Sequence, residues 1–355
     1  MHREFFGKDQ SGKDIELFIF TNTNGTQVKI TTLGAAITSF IFKDTNGIMR
    51  DVVLGYDKAE DYIKNPCYFG VIVGRCVNRI SNAKVTINDI EYPLEVTEGT
   101  WNSHSGSNGV SRRNWEVESI DEEKNRITLK IFSAHLEQGF PGNMTMKVTY
   151  TLTEDDAICI DYEAVSDMDT IANLTNHSYF NLAGHDSGET GSQQLKLYAK
   201  AYTPVDSDTI IPTGEIRSVE DTPFDFTEFK ALDRDLEVPD EQIICAGGYN
   251  HNFVNDNKDK FGLIAEARCE ETGIHLYAYT DCPGVQLYAG RYIEEQKGKA
   301  GVIYGAYHGF CLETQYFPDA VNRPEFKSPV LKGGEVYSSS TVYRLALECT
   351  CGEEK

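Results

Sequence analysis

Met144-Thr145-Met146-Lys147-Val148-Thr149-Tyr150-Thr151-Leu152 alternates apolar and polar side chains without a break. Successive side chains of an extended chain point to opposite faces, so Met144, Met146, Val148, Tyr150 and Leu152 share one face of a strand. Glu154-Asp155-Asp156 then turns the chain into Ile158, Ile160 and Tyr162, which repeat the pattern. The same period recurs outward in both directions. Lys84 to Val96 alternates around a turn at Asn88-Asp89, a hairpin signal. Trp115 and Val117 are matched by Ile127, Leu129 and Ile131 across the turn Asp121-Glu122-Glu123-Lys124-Asn125. Leu276-Tyr277-Ala278-Tyr279 and Val285-Gln286-Leu287-Tyr288 flank a turn at Asp281-Cys282-Pro283-Gly284. Helical periodicity is nearly absent: Asp57 to Lys64 and Asp225 to Leu232 are long enough for one or two turns each. Many short strands with turn signals between them predict an all-β chain of antiparallel sheets packed face to face, with few short helices.

The bulk composition sets bounds. All-β domains routinely run to about 200–250 residues or more as one unit, so 355 residues are read as a single domain, 1–355. Hydrophobic residues make up 40% and charged residues 25%, the balance of a soluble globular protein. A net charge of −22 repels nucleic acid and anionic membrane, and neither is expected as a partner. Nine cysteines occur with no Cys-x-x-Cys pair. Cys349 and Cys351 are the nearest two, a poor spacing for zinc. Scattered cysteines suit a reducing compartment. With no apolar core of signal length near Met1 and no run of eighteen apolar residues, a cytoplasmic location is expected.

Thr175-Asn176-His177-Ser178-Tyr179-Phe180-Asn181-Leu182-Ala183-Gly184 sets one imidazole ahead of an aromatic-apolar string. A histidine titrates near pH 6.5, so it serves as acid or base with little tuning. Taken alone, such a residue is more often a core or edge-strand histidine with a local hydrogen bond. The string Asn-His-Ser-Tyr-Phe-Asn-Leu, however, resembles the signature of the aldose 1-epimerases (mutarotases). Three further segments resemble that family's motifs in its order. Gly74-Arg75-Cys76-Val77-Asn78-Arg79-Ile80 is similar to Gly-Arg-x-x-Asn-Arg-Ile. Asn102-Ser103-His104-Ser105-Gly106 is similar to its first histidine motif, usually Leu-His-Gly-Gly. Gly309-Phe310-Cys311-Leu312-Glu313-Thr314-Gln315, followed by Pro318-Asp319-Ala320 and Asn322, is similar to its glutamate motif. The likeness runs from about Asn24 to about Tyr343.

The resemblance implies a large antiparallel β-sandwich and a cofactor-free, metal-free exchange of sugar anomers. That reaction takes a proton from the C1 hydroxyl, gives one to the ring oxygen as C1–O5 breaks, and recloses the aldehyde from the other face. Carboxylate and imidazolium on opposite sides of C1–O5 would supply this. Glu313 is implied as the base, on a strand whose Leu312 and Thr314 point the other way. His177 is implied as the acid, protonated at rest because a nearby carboxylate favours imidazolium. His104 is implied to hold and polarise the ring oxygen. Arg79, with Asn78 beside it, is the hydroxyl anchor, and Arg75 is its structural competitor. Gln286 matches a sugar-binding glutamine, and Tyr179 shares the face of His177 if the segment is extended. Gly248-Tyr249-Asn250-His251-Asn252-Phe253 carries Asn250 where the family has an aspartate that grips sugar hydroxyls, which implies weaker binding or a different preferred sugar. The implied partner is a free aldohexose such as galactose or glucose, and the chain is either a monomer or a homodimer. Asn250 and Ser105 motivate the alternative of a non-catalytic sugar-binding module. A glycoside hydrolase or lyase ranks last, since hydrolases usually need two carboxylates and one stands in a matching motif.

Overall fold

Alternation at Met144–Leu152 becomes alternating burial: the five apolar side chains are buried and the four between them are half-buried. In the computed structural model, which describes residues 1–257 and 260–347, this strand lies third in a nine-stranded antiparallel sheet. The order is Glu116–Asp121, Arg126–Ser133, Met144–Leu152, Ala157–Ser166, Val336–Leu347, Ile274–Thr280, Gly262–Cys269, Gln194–Leu197 and Lys230–Ala231. A six-stranded antiparallel sheet follows the order Tyr179–Phe180, Phe310–Gln315, Gly284–Tyr288, Asn250–Val254, Ala201–Thr203 and Arg217–Ser218. A five-stranded sheet from His2–Lys8 to Met49–Asp51 completes the larger elements.

The two larger sheets share one core. Leu129, Val148, Ile160 and Tyr343 from the first meet Phe253, Val285, Leu287 and Leu312 from the second in a single apolar cluster. Each such side chain contributes about 1.5–3 kcal/mol when fully removed from water. Tyr343 Oη donates to the Leu312 carbonyl at 2.6 Å and so ties the sheets beside the strand that carries Glu313.

Turn chemistry sets the connections. Asn88 and Asp89 both take positive φ, 51° and 62°, as a two-residue hairpin turn requires. The turn at Asp281–Pro283 joins strands of different sheets: Ile274–Thr280 lies in the nine-stranded one and Gly284–Tyr288 in the six-stranded one. Ala59–Lys64 is helical, as expected. Asp225 to Leu232 is not. There Asp225 Oδ1 accepts from the Thr227 amide at 3.0 Å, a local turn that competes with helix, and Lys230–Ala231 pairs as an edge strand. The second helix is Glu241–Ala246 instead, capped by the Asp240 carboxylate and closed by Gly247 at φ 65°. Among the described residues no helix is long and apolar enough to cross a membrane. The seven described cysteines are free, and the Cys349–Cys351 pair lies outside the described residues.

Candidate active site

Three segments that are far apart in sequence meet at one end of the six-stranded sheet. Tyr179–Phe180 pairs with Phe310–Cys311, and Gln286 lies directly opposite Glu313 on the neighbouring strand. This register places Glu313 on the strand next to the one that the His177 loop leads into. That loop is pinned through its backbone. The His177 amide donates to the Val71 carbonyl at 2.9 Å, and the Gly70 amide donates to the His177 carbonyl at 3.0 Å. Gly70 sits at φ 70°, where a Cβ would lie 2.0 Å from the Ile37 carbonyl oxygen, so glycine alone allows this close approach.

The result is a cavity of about 540 Å³ lined by His104, His177, Glu313, Asn78, Arg79, Tyr179 and Asn250, together with Tyr68, Trp101 and Tyr288. Seven of the eight residues singled out in the sequence thus come together. Gln286 stands one layer behind. It is 2% exposed, and its Nε2 donates to Asn250 Oδ1 at 2.8 Å. Arg75 points away and donates to the carbonyls of Ser133, Ala134 and Pro141, which makes it a structural clamp. Tyr68, Trp101 and Tyr288 carried no signal in a chain with 19 tyrosines and 18 phenylalanines. Nothing local marks a binding aromatic.

His177 Nε2 lies 3.6 Å from Glu313 Oε2, and the two rings of Tyr179 and Tyr68 lie nearly parallel to the imidazole at 5.1 and 5.9 Å. The acid and base candidates therefore face each other directly in the resting state, with no gap for a ring between them. Both are buried, and burial disfavours the charged form of each. It pushes the Glu313 carboxyl up to about 8, against the pull of Arg79, and draws the His177 imidazole down to about 4. The expectation of a resting imidazolium overlooked this desolvation. Glu313 Oε2 and Arg79 Nε are buried and have no hydrogen-bond partner within the protein. Unmet polar atoms of this kind are costly unless a ligand meets them.

His104 is set differently. Its Nδ1 accepts from the Asn78 amide at 3.4 Å, which leaves the proton on Nε2. Burial first, then repulsion from His177 when it is protonated and from Arg79 and Arg112, hold its pKa well below the ordinary value. A neutral imidazole with a fixed N–H is a donor, not an acid. Ser105, where glycine is usual in the resembling motif, takes φ 65°. Its hydroxyl accepts from the Cys76 amide at 2.8 Å and donates to the Cys76 carbonyl at 2.9 Å, so the loop keeps its place despite the extra Cβ.

Comparison with known proteins gives the chain's family. The family model described as aldose 1-epimerase matches residues 16–344. The galactose mutarotase of Rattus norvegicus is 36% identical over 347 residues, covering 97% of this chain and 98% of that protein. The aldose 1-epimerase of Escherichia coli (strain K12) is 31% identical over 340 residues, covering 95% and 97%. Among solved structures, a GalM/aldose epimerase homologue from C. elegans superposes with a TM-score of 0.85 at 30% identity, covering 93% of this chain and 98% of that one. The galactose 1-epimerase from Lactobacillus acidophilus NCFM gives 0.85 at 25% identity, covering 98% of both.

Proposed function

This chain belongs to the aldose 1-epimerase family, and we propose that Glu313 and His177 together open and reclose the ring of its sugar. It is an isomerase that interconverts the α and β anomers of a free aldose. The observation that carries the assignment of roles is the 3.6 Å contact between two buried, oppositely shifted groups at the floor of the cavity. The C1 hydroxyl and the ring oxygen are both bonded to C1, so an adjacent carboxylate and imidazole reach both at once.

The proton balance follows. With closed sugar bound, the pair holds one proton as imidazolium and carboxylate. Glu313 takes the hydroxyl proton, His177 gives its own to the ring oxygen, and C1–O5 breaks. The pair still holds one proton, now as carboxylic acid and neutral imidazole. Rotation about C1–C2 and the reverse transfers give the other anomer. Burial raises the carboxyl and lowers the imidazole, which favours the uncharged form of the pair over the ion pair. A group that is charged in only half of the cycle is well served by such an environment.

His104, neutral and donating through Nε2, fits the role of polarising the ring oxygen. Arg79 and Asn78 offer donors to the sugar hydroxyls, and Tyr179 supports the His177 ring. Asn250 lines the cavity, with Gln286 holding its Oδ1. Galactose or glucose is the proposed substrate, in keeping with the names of the relatives. We take the chain to act in the cytoplasm as one β-sandwich domain. Nothing in the site favours a non-catalytic sugar-binding module, since a pure binder gains nothing from an acid–base pair. Polarimetry on freshly dissolved α-galactose and α-glucose tests the reading. Wild type accelerates the approach to equilibrium, and His177→Asn loses more turnover than His104→Asn. Equal losses, or a larger one at His104, would reverse the division of roles.

A further inference from the structure

Cys311 joins the pair in a way that sugar chemistry does not use. Cys311 and Glu313 are two residues apart on the strand Phe310–Gln315, so their side chains leave the same face. His177 lies across that face. Cys311 Sγ is 3.6 Å from His177 Nδ1, and Glu313 Oε2 is 3.6 Å from His177 Nε2. One donor atom from each of the three residues lies within 4.8 Å of the other two. All three are buried, at 0, 4 and 3% exposure for Cys311, His177 and Glu313, and Glu313 Oε2 has no hydrogen-bond partner. Thiolate, imidazole and carboxylate are the three donor types that zinc takes, at about 2.0–2.3 Å from the metal. Donors bound at that length stand closer together than 4.8 Å, so the imidazole must turn toward the strand when a metal enters. The cavity beside His177 and Glu313 gives the metal its entry path and leaves a fourth position for water.

We propose that Cys311, His177 and Glu313 form a binding site for zinc or another thiophilic divalent cation, and that the bound metal inhibits the enzyme. The metal takes the lone pairs of the acid and the base together, so neither can pass a proton. Sugar and metal then exclude each other. Binding rests on the geometry alone; inhibition rests on the roles proposed for His177 and Glu313.

The test uses the full chain with Co²⁺ alone as a spectroscopic probe, then Zn²⁺ as competitor. Expected with wild type are a thiolate-to-cobalt charge-transfer band and its loss on adding Zn²⁺, which binds such sites more tightly. Zn²⁺ should inhibit mutarotation, and the concentration for half inhibition should rise with sugar. Cys311→Ser and Cys311→Ala should both abolish the band. Each should also weaken zinc inhibition, scored against the variant's own uninhibited rate, by about 10²-fold, since losing even an outer partner costs 10–100-fold. No thiolate band in wild type, or both variants inhibited at wild-type zinc concentrations, overturns the site. If the band forms on Cys311 but zinc leaves mutarotation untouched, binding stands and the inhibition claim falls. The roles themselves are tested separately, by the activity of Glu313→Gln without metal.

Discussion

Two buried acid–base pairs with opposite surroundings sit in this molecule. Lys299 Nζ reaches Asp51 Oδ2 at 2.6 Å and also donates to the carbonyls of Thr38 at 3.0 Å and Val53 at 2.7 Å. All three of its protons are used. Asp51 Oδ1 in turn accepts from the Phe40 and Val53 amides. At the cavity floor, His177 and Glu313 stand 3.6 Å apart, and Glu313 Oε2 has no hydrogen bond. Both pairs lost water on folding. The first replaced it with protein partners, and the second leaves polar atoms open toward a cavity. A saturated buried pair locks the five-stranded sheet to the Lys299 loop. An unsaturated one is held ready for a ligand that brings the missing hydrogen bonds.

The comparison breaks most sharply at Glu313. Glu313→Gln keeps shape and removes the base, and general base catalysis typically contributes about 10²–10⁴-fold. Turnover by polarimetry should fall by that factor, or about 3–5 kcal/mol of barrier. Activity within about threefold of wild type removes Glu313 from the mechanism. The stability of this variant should hold or rise, because an unsaturated buried carboxylate is gone. Lys299→Met should do the reverse. Breaking a saturated buried pair costs about 3–5 kcal/mol because the other charge is left unpaired. Urea unfolding of Lys299→Met should therefore show a lower midpoint at unchanged slope. A midpoint equal to wild type would mean that saturation is not what distinguishes the two pairs.

The same contrast has a pH signature. Glu313 is raised from 4.5 to about 8 on folding, so the folded protein keeps a proton that the unfolded chain loses. Wild type then loses stability as pH climbs from about 4.5 to 8, by on the order of a few kcal/mol. His177 is lowered from 6.5 to about 4, so the unfolded chain binds a proton that the folded one refuses. Wild type loses stability again as pH falls from about 6.5 to 4. Glu313→Gln removes the first loss, and its advantage over wild type should grow between pH 4.5 and 8 and then level off. A constant difference across that window would show that Glu313 is not raised in the folded state.

How much of this could be read beforehand varies with the range of the interaction. Strand alternation at Met144–Leu152 is local, and it survived folding intact. Glu313 on a strand and the positive-φ turn at Asn88-Asp89 are equally local. Asp225 to Leu232 misled because its apolar spacing suits a helix, while a side chain two residues back supplied a competing turn. The helix Glu241–Ala246 did carry a signal, an Asp cap and a Gly stop bracketing six residues, in a window too short for periodicity. Arg75 and Arg79 look alike in sequence. Only the fold aims one at loop carbonyls and the other at the cavity. Cys311 was invisible as a possible ligand because its partners lie on another segment and on the same strand at a spacing that reads as ordinary β structure.

The smallest expected effect concerns Asn250. Its Oδ1 is already engaged by Gln286 Nε2, so what it offers the cavity is its amide donor. Asn250→Asp keeps one oxygen for Gln286 and places a second, charged oxygen where the donor was. Sugar hydroxyls can donate to that oxygen, and hydrogen bonds to charged groups contribute about 1.5–3 kcal/mol. The gain is roughly 10–150-fold in affinity, and it should appear as a lower KM for galactose or glucose with kcat little changed, because the contact is made in ground and transition states alike. Gln286→Leu sharpens the result. It frees Oδ1 of Asn250 to accept from sugar, so part of the gain should appear without any added charge. If KM moves in neither variant for any sugar tested, Asn250 holds the sheet through Gln286 and does not touch the sugar. The specificity assigned to this position then belongs to another residue of the cavity wall.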